Sequence, residues 1–465
     1  MSIPSRALCA VAAVLIAGVA FPAHADLSVA RRATKNVSCS GGSCVATARN
    51  AVMNVADLQN LLASQSAVSL DAGPAKNIAI NTALTWTSSA TLSLTANGSL
   101  IVNKPVTVAG KAGVTIQSNG LSFGHKASLS FWDLGSSLTI NRHAYALVSD
   151  IKSLATAING GGSAGFYALS NDYDAAADGT YNESPIIGNF AGTFEGLGHT
   201  IVHFSMLGSG FFEWNSGVIE NFSLLRASAE VGGNSGILVG KNDGLIDHAR
   251  VTGTMLLQGA VVAGGLVGVN EQRIANSHAN IRIIGDGGDI GGLVGQNEGE
   301  IQTSYAEGRT EMISIPTRTS GGLVGINDNR IENCYSLTAI VRQGTSFYGG
   351  LIEAQIAEVE RPHTIASYAA GKVESAKKSG GLPGGVVGYQ DTANPSTYSN
   401  VYWDTDTDVH NRHDGAANVP DQSGLTGLTD AQLKSGLPPG FDPKIWGQSP
   451  SINNGYPYLL SNPPQ

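Results

Sequence analysis

The sequence predicts an all-β protein built as a solenoid, a parallel β-helix, and three observations carry that expectation. A glycine-framed phrase returns through residues 236–388, reading Gly236-Ile-Leu-Val-Gly240, Gly264-Gly-Leu-Val-Gly268, Gly291-Gly-Leu-Val-Gly295 and Gly321-Gly-Leu-Val-Gly325. Worn copies follow at Gly349-Gly-Leu-Ile-Glu353 and Gly384-Gly-Val-Val-Gly388, so the period runs from 27 to 35 residues, the range of stacked repeats. Isoleucines at 246, 274, 301 and 331 keep the same register. Composition agrees: 59 glycines and only 14% charged residues suit turns and strands better than solvent-facing helices.

Each repeat has parts that can be justified in turn. Two apolar residues between glycines are too short for a helix and fit a short strand with sharp ends, where glycine would adopt left-handed backbone angles. An amide follows two residues later, at Asn242, Asn270, Asn297, Asn327, Gln355 and Gln390, and identical amides on successive rungs can hydrogen-bond along a stack. The isoleucine strand comes next, then small or aromatic residues such as Ser277-His278, Ser304-Tyr305 and Cys334-Tyr335. A third apolar run closes the unit, at 251–257, 281–284 and 337–341. Stacked at ~4.8 Å, such units bury an inward ladder of Leu, Val and Ile. An earlier, looser copy begins at Gly210, with Phe212 aligned to Val239.

The Gly-Gly-Leu-Val-Gly-x-Asn phrase followed by Ile-x-Asn-x-Tyr resembles the GLUG repeat of bacterial surface and secreted proteins, filamentous-haemagglutinin-like adhesins among them. The lead-in Phe190-Ala-Gly-Thr-Phe-Glu-Gly-Leu-Gly-His-Thr-Ile201 and the endings Val401-Tyr-Trp-Asp404 and Asn454-Gly-Tyr-Pro-Tyr458 strengthen the likeness, which spans about 187–460. The resemblance implies a right-handed parallel β-helix and an exported protein of adhesive or binding type. It leaves activity open, because the same repeat also flanks peptidases.

From the start of the chain, residues 1–25 read as a signal peptide: Arg6, an apolar run over 8–21, and Ala23-His-Ala25 as a cleavage site. Residues 26–150 form an N-terminal β-rich segment in which Cys39-Ser-Gly-Gly-Ser-Cys44 can close a disulfide loop. A short helix is expected over 55–62, then strands at 78–84, 90–95, 100–102, 106–108 and 114–116. The segment 90–103 is similar to the N-terminal coils of filamentous-haemagglutinin-type exoproteins, and should continue into the array or pack end-on against it. Residues 151–186 are a connection, with a helix expected over 145–157 and a glycine loop after it. The repeat array occupies 187–400, and an irregular proline-rich cap occupies 401–465, with a helix over 428–434 capped by Thr429. That cap is expected to cover the open end of the stack. Cys334 holds a packed repeat position and reads as a buried thiol.

Candidate chemistry is sparse. Gly161-Gly-Ser163-Ala-Gly165 has the form of a nucleophile elbow but sits in a glycine run after a helix, so a flexible loop is the better reading of Ser163. H-E-x-x-H and Walker signatures are absent. Asp404, Asp406 and Asp408, with His410 and His413 beyond, could meet at a calcium ion, though a solvated acidic turn explains them as well. Glu353 breaks the repeat where glycine is expected, with Glu358, Glu360, Arg361 and His363 nearby, so a catalytic coil is the alternative to a tolerated insertion there. Tyr402 and Trp403 could stack on sugars or plug the stack. Asp243, Glu271, Glu298 and Asp328 recur with the period and read as turn residues. A net charge of −9 without a basic patch disfavours nucleic acid. The expectation is a non-enzymatic exported β-helix that binds glycans, matrix or a surface protein, needs no cofactor and keeps no transmembrane segment once the leader is cleaved. A polysaccharide lyase or hydrolase, or a structural spacer, is the alternative.

Overall fold

The computed structural model describes residues 26–259, 262–285, 288–312, 319–342, 347–356, 361–375, 383–407 and 414–464. Residues 1–25, expected to be a leader, and Asp408, His410, His413, Glu358 and Glu360 lie outside them. The architecture is a parallel β-helix, with nearly every strand paired in parallel to the one a coil earlier. Among the described residues no helix is long and apolar enough to cross a membrane.

The first stack of coils spans 26–140 and buries Leu, Val and Ile in its own core. The expected strands are present, with the first resolved into Asn77–Ile80 and Leu84–Trp86. Helix α1 (Val55–Ser64) covers its beginning. Asn54 caps α1 by accepting from Ala56 N at 2.8 Å, while Leu58 and Leu62 turn inward. Cys39 and Cys44 are joined as a disulfide across a hairpin.

Between 137 and 148 the chain reverses. Strands Ser137–Ile140 and His143–Val148 pair antiparallel across Asn141-Arg142, whose φ values of 50° and 73° are those of a two-residue hairpin turn. A helix was expected to start at Tyr145. It starts at Ile151 instead, as α2 (Ile151–Ala157), because Asp150 caps it by accepting from Ser153 N at 2.7 Å and the residues before are held in a sheet. Side chains alternate across this shared sheet. Tyr145, Leu147, Ala168 and Leu197 face the first core, whereas Val148, Tyr167, Leu169 and Phe194 belong to the second. The two cores therefore lie on opposite faces of one sheet. Reversing strand direction while changing face preserves the hand of winding, so both stacks coil the same way.

The second stack begins under α2 and a phenylalanine plug. Phe190, Phe194, Phe211, Phe212 and Phe222 pack ring to ring at 5.0–5.8 Å where narrower Leu, Val and Ile take over further on. Phe212 pairs with Val239 as the period requires. An eight-stranded and a six-stranded parallel sheet form two walls, and the shared sheet forms the third.

The repeated phrase is a corner rather than a strand. Strand Val262–Gly264 ends at its first glycine, Gly265 and Leu266 bend, and strand Val267–Asn270 begins at the valine. Its glycines are needed for space, not for left-handed angles: a Cβ on Gly264 would lie 2.0 Å from the Val267 oxygen, and one on Gly265 2.3 Å from the Gly292 oxygen of the next coil. Left-handed angles recur instead at one register position of successive coils, at Asn221, His248, Asn276, Thr303, Asn333, Ala366 and Asn400 (φ 43–55°). The amides form the expected buried ladder, Nδ2 of Asn215, Asn242, Asn270 and Asn297 each donating to Oδ1 of the next at 2.7–2.8 Å. Asn327 passes the chain to Gln355 at 3.0 Å.

The C-terminal segment departs from expectation. Helix α3 (Asp430–Leu433) is capped by Thr429 and Gln432 as predicted. The tail does not plug the end, which is closed by 414–428 through pairing of Leu425–Leu428 with Val401–Asp404. It runs back along the outer flank as a strap over a ladder of rings. His278, Tyr305, Tyr335 and Tyr368 stack at 4.5, 4.6 and 5.1 Å with planes within 6°, and Tyr402 follows in register. Trp446, Phe441 and Leu459 pack on them, Trp446 donates to Asn333 at 3.1 Å, and Asn462 meets His278 Nδ1 at 3.0 Å.

Candidate functional site

Burial decides most of the sequence candidates. Tyr402 and Trp403 are each 6% exposed and present no ring face to a ligand, which corrects the stacking reading. The causes differ: the strap covers Tyr402, which donates to the Pro439 oxygen at 2.8 Å, whereas Trp403 belongs to the core at the stack's end. Asp404 is buried too, accepting from Tyr456 OH at 2.8 Å, and burial raises its pKa. Asp406 is exposed and accepts from Asp430 N at 3.0 Å. Among the described residues no group of three acidic, His or Cys side chains is placed to hold a metal ion. These aspartates anchor the strap and α3.

Ser163 is exposed in a turn with a helix before it and a strand after, the reverse of an elbow. Glu353 is buried in the eight-stranded sheet, at the position Gly325 takes a coil earlier, while Arg361 and His363 are exposed and His363 pairs with Thr397. Cys334 is a buried thiol pushed up to about 12 by burial. Asp243 accepts from Trp214 Nε1 at 2.8 Å and Glu271 pairs with Lys241 at 2.9 Å, so these turn acids tie neighbouring coils together.

Two arrangements were not anticipated. The first is an acidic notch where the stacks meet. Glu195, Glu220 and Asp247 occupy one register on three successive strands, on the outer face of the shared sheet. The last coil of the first stack overhangs them: Leu129 N donates to the Leu197 oxygen at 3.0 Å, Phe131 N to the Ser170 oxygen at 2.9 Å, and Asn221 Nδ2 to the Leu121 oxygen at 3.3 Å. His199 bridges Asp172 at 3.1 Å and the Leu129 oxygen at 3.0 Å. Glu195, only 1% exposed, accepts from Leu197 N at 2.8 Å and Asn221 Nδ2 at 3.1 Å. Burial, then the Glu220 carboxylate, raise its pKa well above the usual range. Glu220 is also raised, by burial and Asp247, and burial with both glutamates raises Tyr145. Asp247 is held down despite its burial by the bond from His248 at 3.0 Å. A spacing of 25–27 residues between acids was visible in the sequence, but the overhang that buries them was not.

The second is an outward row on the eight-stranded sheet, one residue per coil: Asn189, Trp214, Lys241, Val269, Gln296, Ile326, Ala354 and Tyr389. The inward neighbours are fixed by core and ladder, while the row itself differs from coil to coil, with Trp214 exposed and Val269 and Ala354 buried. Lys241 lies over the Trp214 ring at 5.2 Å, and Phe347 packs beside Tyr389 at 5.1 Å.

Fold and surface thus define a β-solenoid with an eight-stranded parallel wall. No family model matches the chain. It is 32% identical over 150 residues to halomucin of Haloquadratum walsbyi, a match that covers 30% of this chain and 2% of that protein. Among solved structures, a Bacteroides ovatus protein provisionally described as an immunoglobulin A1 protease superposes at a TM-score of 0.43 and 18% identity, over 68% of this chain and 93% of that one. An IgA1 protease does so at 0.39 and 22%, over 59% and 20%. Neither likeness assigns an activity here.

Proposed function

We propose that the protein is an exported, non-enzymatic β-helix that binds an extended glycan or another surface polymer along its eight-stranded wall. The observation that carries the reading is the outward row. Side chains repeat every ~4.8 Å on a parallel sheet, with aromatic rings at the second and last positions, Trp214 and Tyr389, and Lys241 and Gln296 between them. Aromatic faces with a few polar groups suit sugar rings. The rest of each coil's chemistry is consumed internally, the amides by their ladder and the tyrosines by the strap. Export is supported by the leader-like start of the sequence and by the disulfide.

One observation favours a polysaccharide-acting enzyme as second reading: a buried carboxyl beside a partly exposed one, Glu195 and Glu220, is the kind of pair that acid–base chemistry uses. A glycan array on the mature chain, with reducing-sugar release measured on each binder, separates the two. Binding without cleavage, weakened at least tenfold by Trp214→Ala or Tyr389→Ala, is expected. Cleavage abolished by Glu220→Gln would replace this reading with the enzyme, and silence in both assays would leave a spacer.

A further inference from the structure

The acidic notch is also the joint between the two stacks. Two glutamates face each other on neighbouring strands, ~4.8 Å apart along the stack, beneath an overhang that belongs to the other stack. Carboxyls so placed cannot both ionise without repulsion, and one shared proton relieves it. The groups that reach the pair are Tyr145 from the reversal hairpin and Asp247 and His248 from the next coil, with Asn221 donating to both Glu195 and the overhanging Leu121. The junction's other titratable contact is His199 with Asp172, which holds the Leu129 side of the overhang. Asn221 is the mechanical link, since one amide ties the titrating carboxyl to the first stack.

We propose that the junction between the two coil stacks is a pH-sensitive clamp, closed while Glu195 and Glu220 share a proton and loosened when both carry charge. The sign follows from linkage. Carboxyls whose folded pKa is raised bind protons more tightly folded than unfolded, so their contribution is full in acid and is lost as pH rises through the raised value. Burial of Glu195 makes ionisation there costly, and the neighbouring Asp247 carboxylate adds to the repulsion. The clamp concerns the joint alone and is independent of what the wall binds.

The test is amide hydrogen exchange on the full chain from pH 5 to pH 8, corrected for intrinsic rates. Leu129 and Phe131, whose amides cross the joint, should lose protection by about tenfold for each unit by which the pair's pKa is displaced. Leu293, bonded within the array to the Leu323 oxygen, serves as the reference and should not change. In Glu195→Gln the loss should vanish, and in Glu220→Gln, which keeps the buried partner, it should shrink as well. Equal behaviour of junction and reference amides, or an unaltered pH dependence in both variants that fold, would overturn the clamp. If Glu195→Gln does not fold, Glu220→Gln alone decides.

Discussion

The amide ladder offers the sharpest test of how the array is held together. Asn297 is fully buried, donates from Nδ2 to Asn327 Oδ1 at 2.7 Å and to the Gly299 oxygen at 3.0 Å, and accepts from Asn270 at 2.7 Å. Asn297→Ala removes all three bonds. Asn270 keeps a partner in the Gln272 oxygen at 3.2 Å and the Gly299 oxygen still accepts from Arg330 N at 3.3 Å, but the buried Asn327 Oδ1 loses its donor. At about 1 kcal/mol per bond, with about 1–2 kcal/mol more for the orphaned acceptor, the loss should be about 4–5 kcal/mol. The neighbouring outward change Gln296→Ala touches only Glu298 at 2.9 Å and should stay within about 0.5 kcal/mol. Equilibrium denaturation of both variants, read with exchange at rungs 270, 297 and 327, measures the difference. A cost below about 1.5 kcal/mol for Asn297→Ala, or equal costs for the two, would refute the ladder as a source of stability.

Other tests are shorter. Thr303 is a β-branched residue at φ 43°, so Thr303→Asn should raise stability by about 1 kcal/mol if the new amide keeps the bond to Asn276, and a lower melting temperature would count against it. His278 is lowered to about 3 by burial and then by the Arg250 charge, so it stays neutral when folded but protonates when unfolded. Stability from this site is therefore lost as pH falls below about 6.5. Exchange over 456–464 should rise in acid, and His278→Gln should flatten the response; no acid effect on the strap would reject it. Cys334 should resist alkylation at pH 8 in the folded chain and react quickly in denaturant; rapid native labelling would contradict its burial.

Much of the fold could be read from the residues because a solenoid writes each contact many times. The period set the register, and Phe212 opposite Val239 or Ile274 opposite Ile301 follow from counting alone. What escaped was written once. Asn141-Arg142 reverses the chain with two residues that carry no glycine, so nothing in the pattern announced a change of face. The glycines were assigned to left-handed turns because that is their commonest use, whereas crowding between coils selects them here. Tyr402 looked available because its cover, at Pro439 and Phe441, is irregular in sequence and lies along the flank, and Trp403 because nothing in the phrase showed that its ring turns into the core. Glu195 sat inside a phrase taken as a lead-in, and only the overhang made it a buried carboxyl.

The strap also fixes how many coils lie between His278 and Tyr402. A repeat array can gain or lose a unit without harm to its interior, since each coil asks only for a neighbour above and below. Here the tail is anchored at Tyr402 and Asp404 and again at His278, four rungs apart, a span of ~19 Å at the spacing of strands. One coil more or fewer would move the two anchors by ~4.8 Å and leave either Asn462 or Tyr456 without its partner. The strap thus acts as a gauge of that stretch, accepting one number of coils beneath it and penalising the others that duplication or slippage of repeats would produce.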